Sequence, residues 1–192
     1  MVRDHRVGAD DVLVAVAASG VTPFTLAVLR EARRRGALTV GIANNPGTPL
    51  LAEADCPVLL ETGAEPIAGS TRMKAGTAQR VALSLLSSLL MIRLGRVHGG
   101  LMVDMRVANN KLARRSENML QHLTDASGEE ARRCLQLAGG NVKLAALLLR
   151  GCDPAEAQAL LAQAGGHLRA ALATLDSRSA GSAARQRAAG GR

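Results

Sequence analysis

Between Glu61 and Gln79 the chain reads ETGAEPIAGSTRMKAGTAQ, which puts unlike chemistries close together. A carboxylate (Glu65), two adjacent hydroxyls (Ser70 and Thr71) and two cations (Arg72 and Lys74) stand among glycines at the mouth of a long apolar helix. Glycine lets a backbone approach a ligand closely, and a helix N-terminus offers N–H groups and the positive end of the helix dipole. The segment therefore points to a small phosphorylated ligand with an acid or base beside it. Glu65 can move a proton or bind sugar hydroxyls. Ser70 and Thr71 can bind phosphate or cap the helix, and Lys74 can pair with phosphate or with Glu65.

A second hydroxyl-bearing turn, Ala18-Ser19-Gly20-Val21-Thr22, follows the apolar run VLVAVAA. In open α/β sheets ligands bind at the carboxyl ends of strands, so Ser19, Gly20 and Thr22 are expected to cradle a phosphate. The alternative for Thr22 is a plain helix cap. Asn109, Asn110 and Lys111 form a weaker candidate that a helix start explains. The GGNVKL stretch, Gly139 to Leu144, reads as a helix break followed by a cap.

The elements that must position these residues follow from local pattern. Val12 to Ala18 is continuously apolar, as a strand covered on both faces would be. Pro23 suits a first helical turn, and Phe24 to Arg35 is an amphipathic helix closed by Gly36. Leu38 to Ala43 is a second strand, Asn44-Asn45-Pro46-Gly47 its loop, Pro49 to Ala54 a short helix, and Pro57 to Leu60 a third strand. This alternation implies parallel pairing through right-handed crossovers. Lys74 to Leu94 is then a long helix expected to be buried against the sheet. Beyond an irregular stretch and a helix at Asn109 to Leu123, short helices are separated by Gly-Gly, Gly-Cys-Asp and Gly-Gly breaks. The expected division is a partial α/β domain over 1–125, a small helical domain over 126–175 and a disordered tail over 176–192, whose residues lack bulk.

Winding in one direction leaves one edge of the first strand bare and puts the crossover helices on one face. A bare apolar edge is an aggregation hazard. Either a partner supplies further strands or an amino-terminal half of the sheet is missing.

Composition excludes several classes. The net charge is +8, yet Phe24 is the only aromatic residue, so no base-stacking platform exists and nucleic acid is not the expected partner. Cys56, Cys134 and Cys152 form no CxxC pair, and the four histidines have no metal-ligand spacing. This fits a reducing compartment and no metal. The opening residues MVRDHRVGADD are polar, so no secretory leader is expected. The run Val81 to Leu94 is broken by Ser84, Ser87, Ser88 and Arg93 and is expected to be too short and polar to span a bilayer.

AASGVTPF, NNPGTPL, GAEPIAGSTRMKAGTAQ, GGLMVDM and GGNVKLA, in this order, resemble the N-acetylmuramic acid 6-phosphate etherases. These are relatives of the glucokinase regulatory protein within the sugar isomerase domain superfamily. The resemblance runs from about Asp11 to Leu172. It implies a partial flavodoxin-like parallel sheet, a sugar isomerase domain without its amino-terminal half, followed by a small domain similar to a ubiquitin-associated module. It implies a cytoplasmic homodimer that needs no metal or organic cofactor. The implied reaction is a lyase reaction that splits the D-lactyl ether of N-acetylmuramic acid 6-phosphate into N-acetylglucosamine 6-phosphate and D-lactate, in amino sugar catabolism and peptidoglycan recycling. By the same resemblance Glu65 lies at the reacting end of the sugar, while Ser19, Gly20, Thr22, Ser70, Thr71 and Lys74 face the ligand. Departures at Ala64 and Pro66 are mild. Family members carry their acid and base glutamates ahead of the region matched here, so Glu65 alone is not a sufficient set.

Two other readings stay open at this level. A non-catalytic sugar-phosphate regulator would keep the ligand loops without the acid and base, and an inactive fragment would need a separate amino-terminal half.

Overall fold

The computed structural model describes residues 5–105 and 109–189, the backbone alone from residue 179 onward. The chain divides into two compact units, Met1–Ser87 and Ser88–Arg192, rather than at residue 125.

In the first unit, β1 (Val12–Val16), β2 (Leu38–Ala43) and β3 (Cys56–Leu59) pair in parallel in the order β1-β2-β3. The crossovers are α1 (Pro23–Arg34) and α2 (Pro49–Glu53), each with proline in its first turn, where no N–H is needed. Strand side chains alternate between faces. Ala15 and Ala43 meet Leu26, Leu29 and Leu50 to form the core under the two helices. Val12, Val14 and Leu38 lie on the other face and are exposed, and β1 is the sheet edge. The bare edge and one-sided helix layer expected from the winding are both present.

Gly41 permits the tight packing of α2 on β2, because a Cβ there would stand 2.6 Å from the Leu50 carbonyl oxygen. A polar knot fixes the register of β2 and β3. The hydroxyl of buried Thr39 donates to Asp55 Oδ2 at 2.6 Å, and the Asp55 amide donates back to that hydroxyl at 3.1 Å. The Thr39 bond and the Arg33 guanidinium at 3.2 Å hold the Asp55 carboxyl below its usual range.

The long helix α3 (Lys74–Arg93) departs from expectation. Ala75 is its only buried residue, and Val81, Leu85, Leu86, Leu89, Leu90 and Ile92 are exposed. The physical reason is its composition: the apolar residues go all the way round, so one sheet face could not cover them. The helix has 20 residues, and an 18-residue window within it has a mean hydropathy of 1.3, enough by length and composition for a membrane crossing, which the interrupted run was not expected to reach.

The second unit starts within α3, at Ser88, and continues with a hairpin of β4 (Val97–His98) and β5 (Leu101–Met102), turned at Gly99 and Gly100, both with positive φ. Five helices follow: α4 (Asn110–Thr124), α5 (Gly128–Leu137), α6 (Val142–Leu149), α7 (Pro154–Gln163) and α8 (Leu168–Ala189). Each of the first four is capped by a side chain, including the expected Asn109 and Asn141. Ser127 and Glu130 form a reciprocal capping box. Leu120, Leu147, Val142 and Leu168 are fully buried at the centre of the core. Lys143 is buried too, its Nζ held by Asp104 Oδ1 and the Gly166 carbonyl, each at 3.0 Å.

The tail expected to be disordered from residue 176 is helical through Ala189, and the final three residues lie outside the described range. Ala, Arg and Gln are strong helix formers, and low bulk alone does not prevent a helix.

Candidate functional site

Parallel strands place their carboxyl ends at one edge, so the turns after β1, β2 and β3 share it. The sequence points to two helix mouths there, and the structure treats them differently.

The mouth of α1 is open. Thr22 occupies the N-cap position, but its side chain makes no capping bond. Its hydroxyl instead faces Ser19 Oγ at 3.4 Å, and Ser19 Oγ accepts the Val21 amide at 3.3 Å. Between them Gly20 adopts φ +68°, the left-handed region that favours glycine. A Cβ at Gly20 would stand 2.2 Å from Thr48 Oγ1, so the turn also depends on close approach to the start of α2. The Gly20 carbonyl accepts the Leu50 amide, which pins the two turns together. Two hydroxyls and an uncapped helix N-terminus are what an incoming phosphate needs.

The mouth of α3 is occupied. Glu65 Oε2 accepts the Lys74 amide and Oε1 the Ala75 amide, both at 3.0 Å. The cap is thus a carboxylate nine residues upstream, not Ser70 or Thr71. The amide bonds from Ala75 and Lys74, in that order of weight, hold the Glu65 carboxyl below its ordinary range. That favours the charged form and makes proton uptake harder. Lys74 does not reach Glu65 with its ammonium, which donates to the Ala64 carbonyl at 2.8 Å. Ser70 accepts nothing here through its side chain; its amide closes a turn on Ile67. Beside this loop lies an open cleft of about 840 Å³ lined by Thr62, Pro66, Arg72, Met73, Lys74, Thr77 and Ala78.

The lowered pKa of Glu65 has a testable sign. A carboxyl whose folded pKa lies below its unfolded value adds stability above the unfolded value and loses it as pH falls through the folded one. Wild type and Glu65→Gln are therefore expected to differ in thermal midpoint at neutral pH and to converge as the pH falls below the ordinary carboxylate range. Because Glu31, Glu53, Asp55 and Glu130 are also shifted downward, the difference between the two proteins is the quantity to follow. A gap that stays constant over that range would exclude the Glu65 cap.

Asn44 and Gln79 are the site residues that sequence reasoning misses. Asn44, just past β2, is buried; its Nδ2 donates to the Leu60 carbonyl at 2.9 Å, and its Oδ1 accepts Gln79 Nε2 at 2.8 Å. Its backbone amide donates to Ala18 at 3.0 Å. The sequence marks Asn44 only as part of an Asn-Asn-Pro-Gly turn, and no local signal names its partners. Asn109, the weak third candidate, is accounted for as the cap of α4. Among the described residues no group of three or more His, Cys, Asp or Glu is placed to hold a metal ion.

Residues 3–89, the span that holds this parallel sheet, match the model of the SIS domain family. The particular relatives are N-acetylmuramic acid 6-phosphate etherases, as the shared motifs imply. The chain is 55% identical over 168 residues to the enzyme of that name from Deinococcus radiodurans, covering 87% of this chain and 55% of that protein. Its identity to the Streptomyces avermitilis etherase is 48% over 166 residues, covering 86% of this chain and 53% of that one. The corresponding match in Rubrobacter xylanophilus is 47% over 167 residues. The chain thus spans about half the length of the curated relatives it matches. Among solved structures, a candidate phosphosugar isomerase from Salmonella typhimurium aligns at 22% identity and a TM-score of 0.32, over 60% of this chain and 34% of that one, a likeness too slight to carry an argument.

Proposed function

We propose that this chain is the ligand-gripping part of a carbon–oxygen lyase that cleaves the D-lactyl ether of N-acetylmuramic acid 6-phosphate, giving N-acetylglucosamine 6-phosphate and D-lactate. The observation that carries the reading is the open mouth of α1. Ser19 and Thr22 hold their hydroxyls 3.4 Å apart over an uncapped helix N-terminus, with Gly20 bringing the backbone close. The 6-phosphate belongs there. Ser70, Thr71 and Lys74 line the other side of the ligand, on the segment that Glu65 ties to α3.

In the reaction a base removes the proton alpha to the open-chain aldehyde, lactate leaves from the neighbouring carbon, and water adds to the resulting double bond. Glu65 stands at the reacting end. Its two amide bonds leave lone pairs for a sugar hydroxyl, and its lowered pKa suits that work better than proton uptake. A second carboxylate of higher pKa completes the acid–base set. It enters with the further strands that pair along β1, whose exposed Val12 and Val14 support such an addition.

Those strands and a second copy of the chain together cover α3, whose apolar surface faces solvent on several sides. The assembly is a homodimer in the cytoplasm. Helices α5, α6 and α7, of 10, 8 and 10 residues, form a module of the ubiquitin-associated kind.

Lactate released from N-acetylmuramic acid 6-phosphate tests the reading. Release by this chain, alone or joined to an amino-terminal half from a relative, that falls on Ser19→Ala supports it. Release that Ser19→Ala leaves unchanged would remove the phosphate site from the α1 mouth. Phosphosugar binding without release in either form would favour a regulator that senses the sugar phosphate.

A further inference from the structure

Three polar arms converge on Asn44. Its backbone amide holds Ala18, at the root of the Ser19–Thr22 turn, at 3.0 Å. Its Nδ2 holds the Leu60 carbonyl, the last point before the Glu61 to Ser70 segment, at 2.9 Å. Its Oδ1 takes Gln79 Nε2, one and a half turns into α3, at 2.8 Å. The amide has one orientation that satisfies both side-chain arms, since a flip would set oxygen against the Leu60 carbonyl and nitrogen against the Gln79 amide. Asn44 is 7% exposed, so water cannot readily replace a lost partner. One backbone bond and two side-chain bonds of this single residue thus tie the three pieces to one point.

We infer that Asn44, with Gln79 as its partner, is the positioning residue of the phosphosugar site. It holds the phosphate turn, the Glu65 segment and the start of α3 in the arrangement that binds ligand. The inference rests on the phosphosugar reading above and deepens it. Asn44 itself touches no ligand. It acts by fixing where Ser19 and Glu65 stand, and loosening it lets those groups drift while β1, β2 and β3 stay paired through their own backbone bonds.

Two isosteric changes separate positioning from bulk stability. Asn44→Asp keeps an acceptor for Gln79 and loses the donor to Leu60. Gln79→Glu turns the donor toward Asn44 into an acceptor. Each is expected to weaken N-acetylglucosamine 6-phosphate binding about tenfold, the equivalent of one well-placed hydrogen bond. Leu29→Val, a trim of the core under α1, serves as the control. It lowers the thermal midpoint with affinity unchanged. Backbone hydrogen exchange supplies a readout that a merely structural role would not produce: in Asn44→Asp, amides at 74 and 75 and at 60 exchange faster while those of β1 and β2 hold.

The experiment is calorimetric titration of the purified chain and these three variants with N-acetylglucosamine 6-phosphate, with exchange rates in parallel. Weaker binding in both isosteric variants, unchanged binding in Leu29→Val and localised faster exchange support the inference. Wild-type binding that both isosteric variants retain overturns the inference and leaves the phosphosugar reading standing. Affinity that tracks the thermal midpoint across all three variants also overturns it, as it makes Asn44 an ordinary core contact. A wild-type chain that does not bind the phosphosugar overturns the reading and the inference together.

Discussion

Gly20→Ala is expected to destabilise the first unit by about 3 kcal/mol and to abolish phosphosugar binding. Two effects add. Gly20 has φ +68°, where an L side chain costs about 1–2 kcal/mol. The new methyl would also stand 2.2 Å from Thr48 Oγ1 and 2.5 Å from Thr48 Cβ, and no rotamer of a buried threonine relieves a clash with its own Cβ. Either the Ser19–Thr22 turn or the start of α2 must move. The double variant Gly20→Ala/Thr48→Gly removes the clash and leaves the backbone strain. Urea unfolding should therefore show it more stable than the sum of the two single changes, because residues in contact do not act additively. If Gly20→Ala unfolds within about 0.5 kcal/mol of wild type, the turn is not built as described.

Leu147→Ala is the second large effect, expected to cost about 4 kcal/mol in the helical unit. Leu147 is 0% exposed and lies in a cluster with Leu120, Leu135, Leu160 and Leu168. Removing its branched end leaves a cavity that fixed helices cannot close. Leu137, on the preceding helix and 67% exposed, is the matched control: its alanine variant should stay within about 0.5 kcal/mol of wild type. Denaturant titration of both variants decides the matter, and equal losses would mean that the helical core has been drawn in the wrong place.

What the sequence made legible was local. VLVAVAA, the proline after Thr22 and the Asn-Asn-Pro-Gly turn spell out strand, helix, strand with caps and breaks in place, because each signal acts over a few residues. The bare edge of β1 followed from winding rules alone. Asn109 and Asn141 were readable as caps for the same reason. Long-range partners were not readable. Glu65 reaches amides nine and ten residues on, Asn44 reaches Gln79 across 35 positions, and nothing in either local pattern names the partner. Thr22 was read as a cap or a ligand, and only geometry separates the two.

The long helix shows a further limit. Apolar composition says that α3 needs cover, and it does not say what provides it. The exposed leucines of α3 and the exposed valines of β1 are two apolar surfaces of this kind. The helical tail makes the complementary point. SRSAGSAARQRAA lacks bulk for a core, yet Ala, Arg and Gln are content in a helix.

The central claim is that a phosphosugar sits at the open mouth of α1, facing the loop that Glu65 ties to α3. Backbone amide shifts on titration with N-acetylmuramic acid 6-phosphate test it most directly. The account predicts the largest movements at Ser19, Gly20, Val21 and Thr22, with a second group at Ser70, Thr71 and Lys74. Saturable shifts confined to the helical unit, with the Ser19–Thr22 amides unmoved, would contradict it.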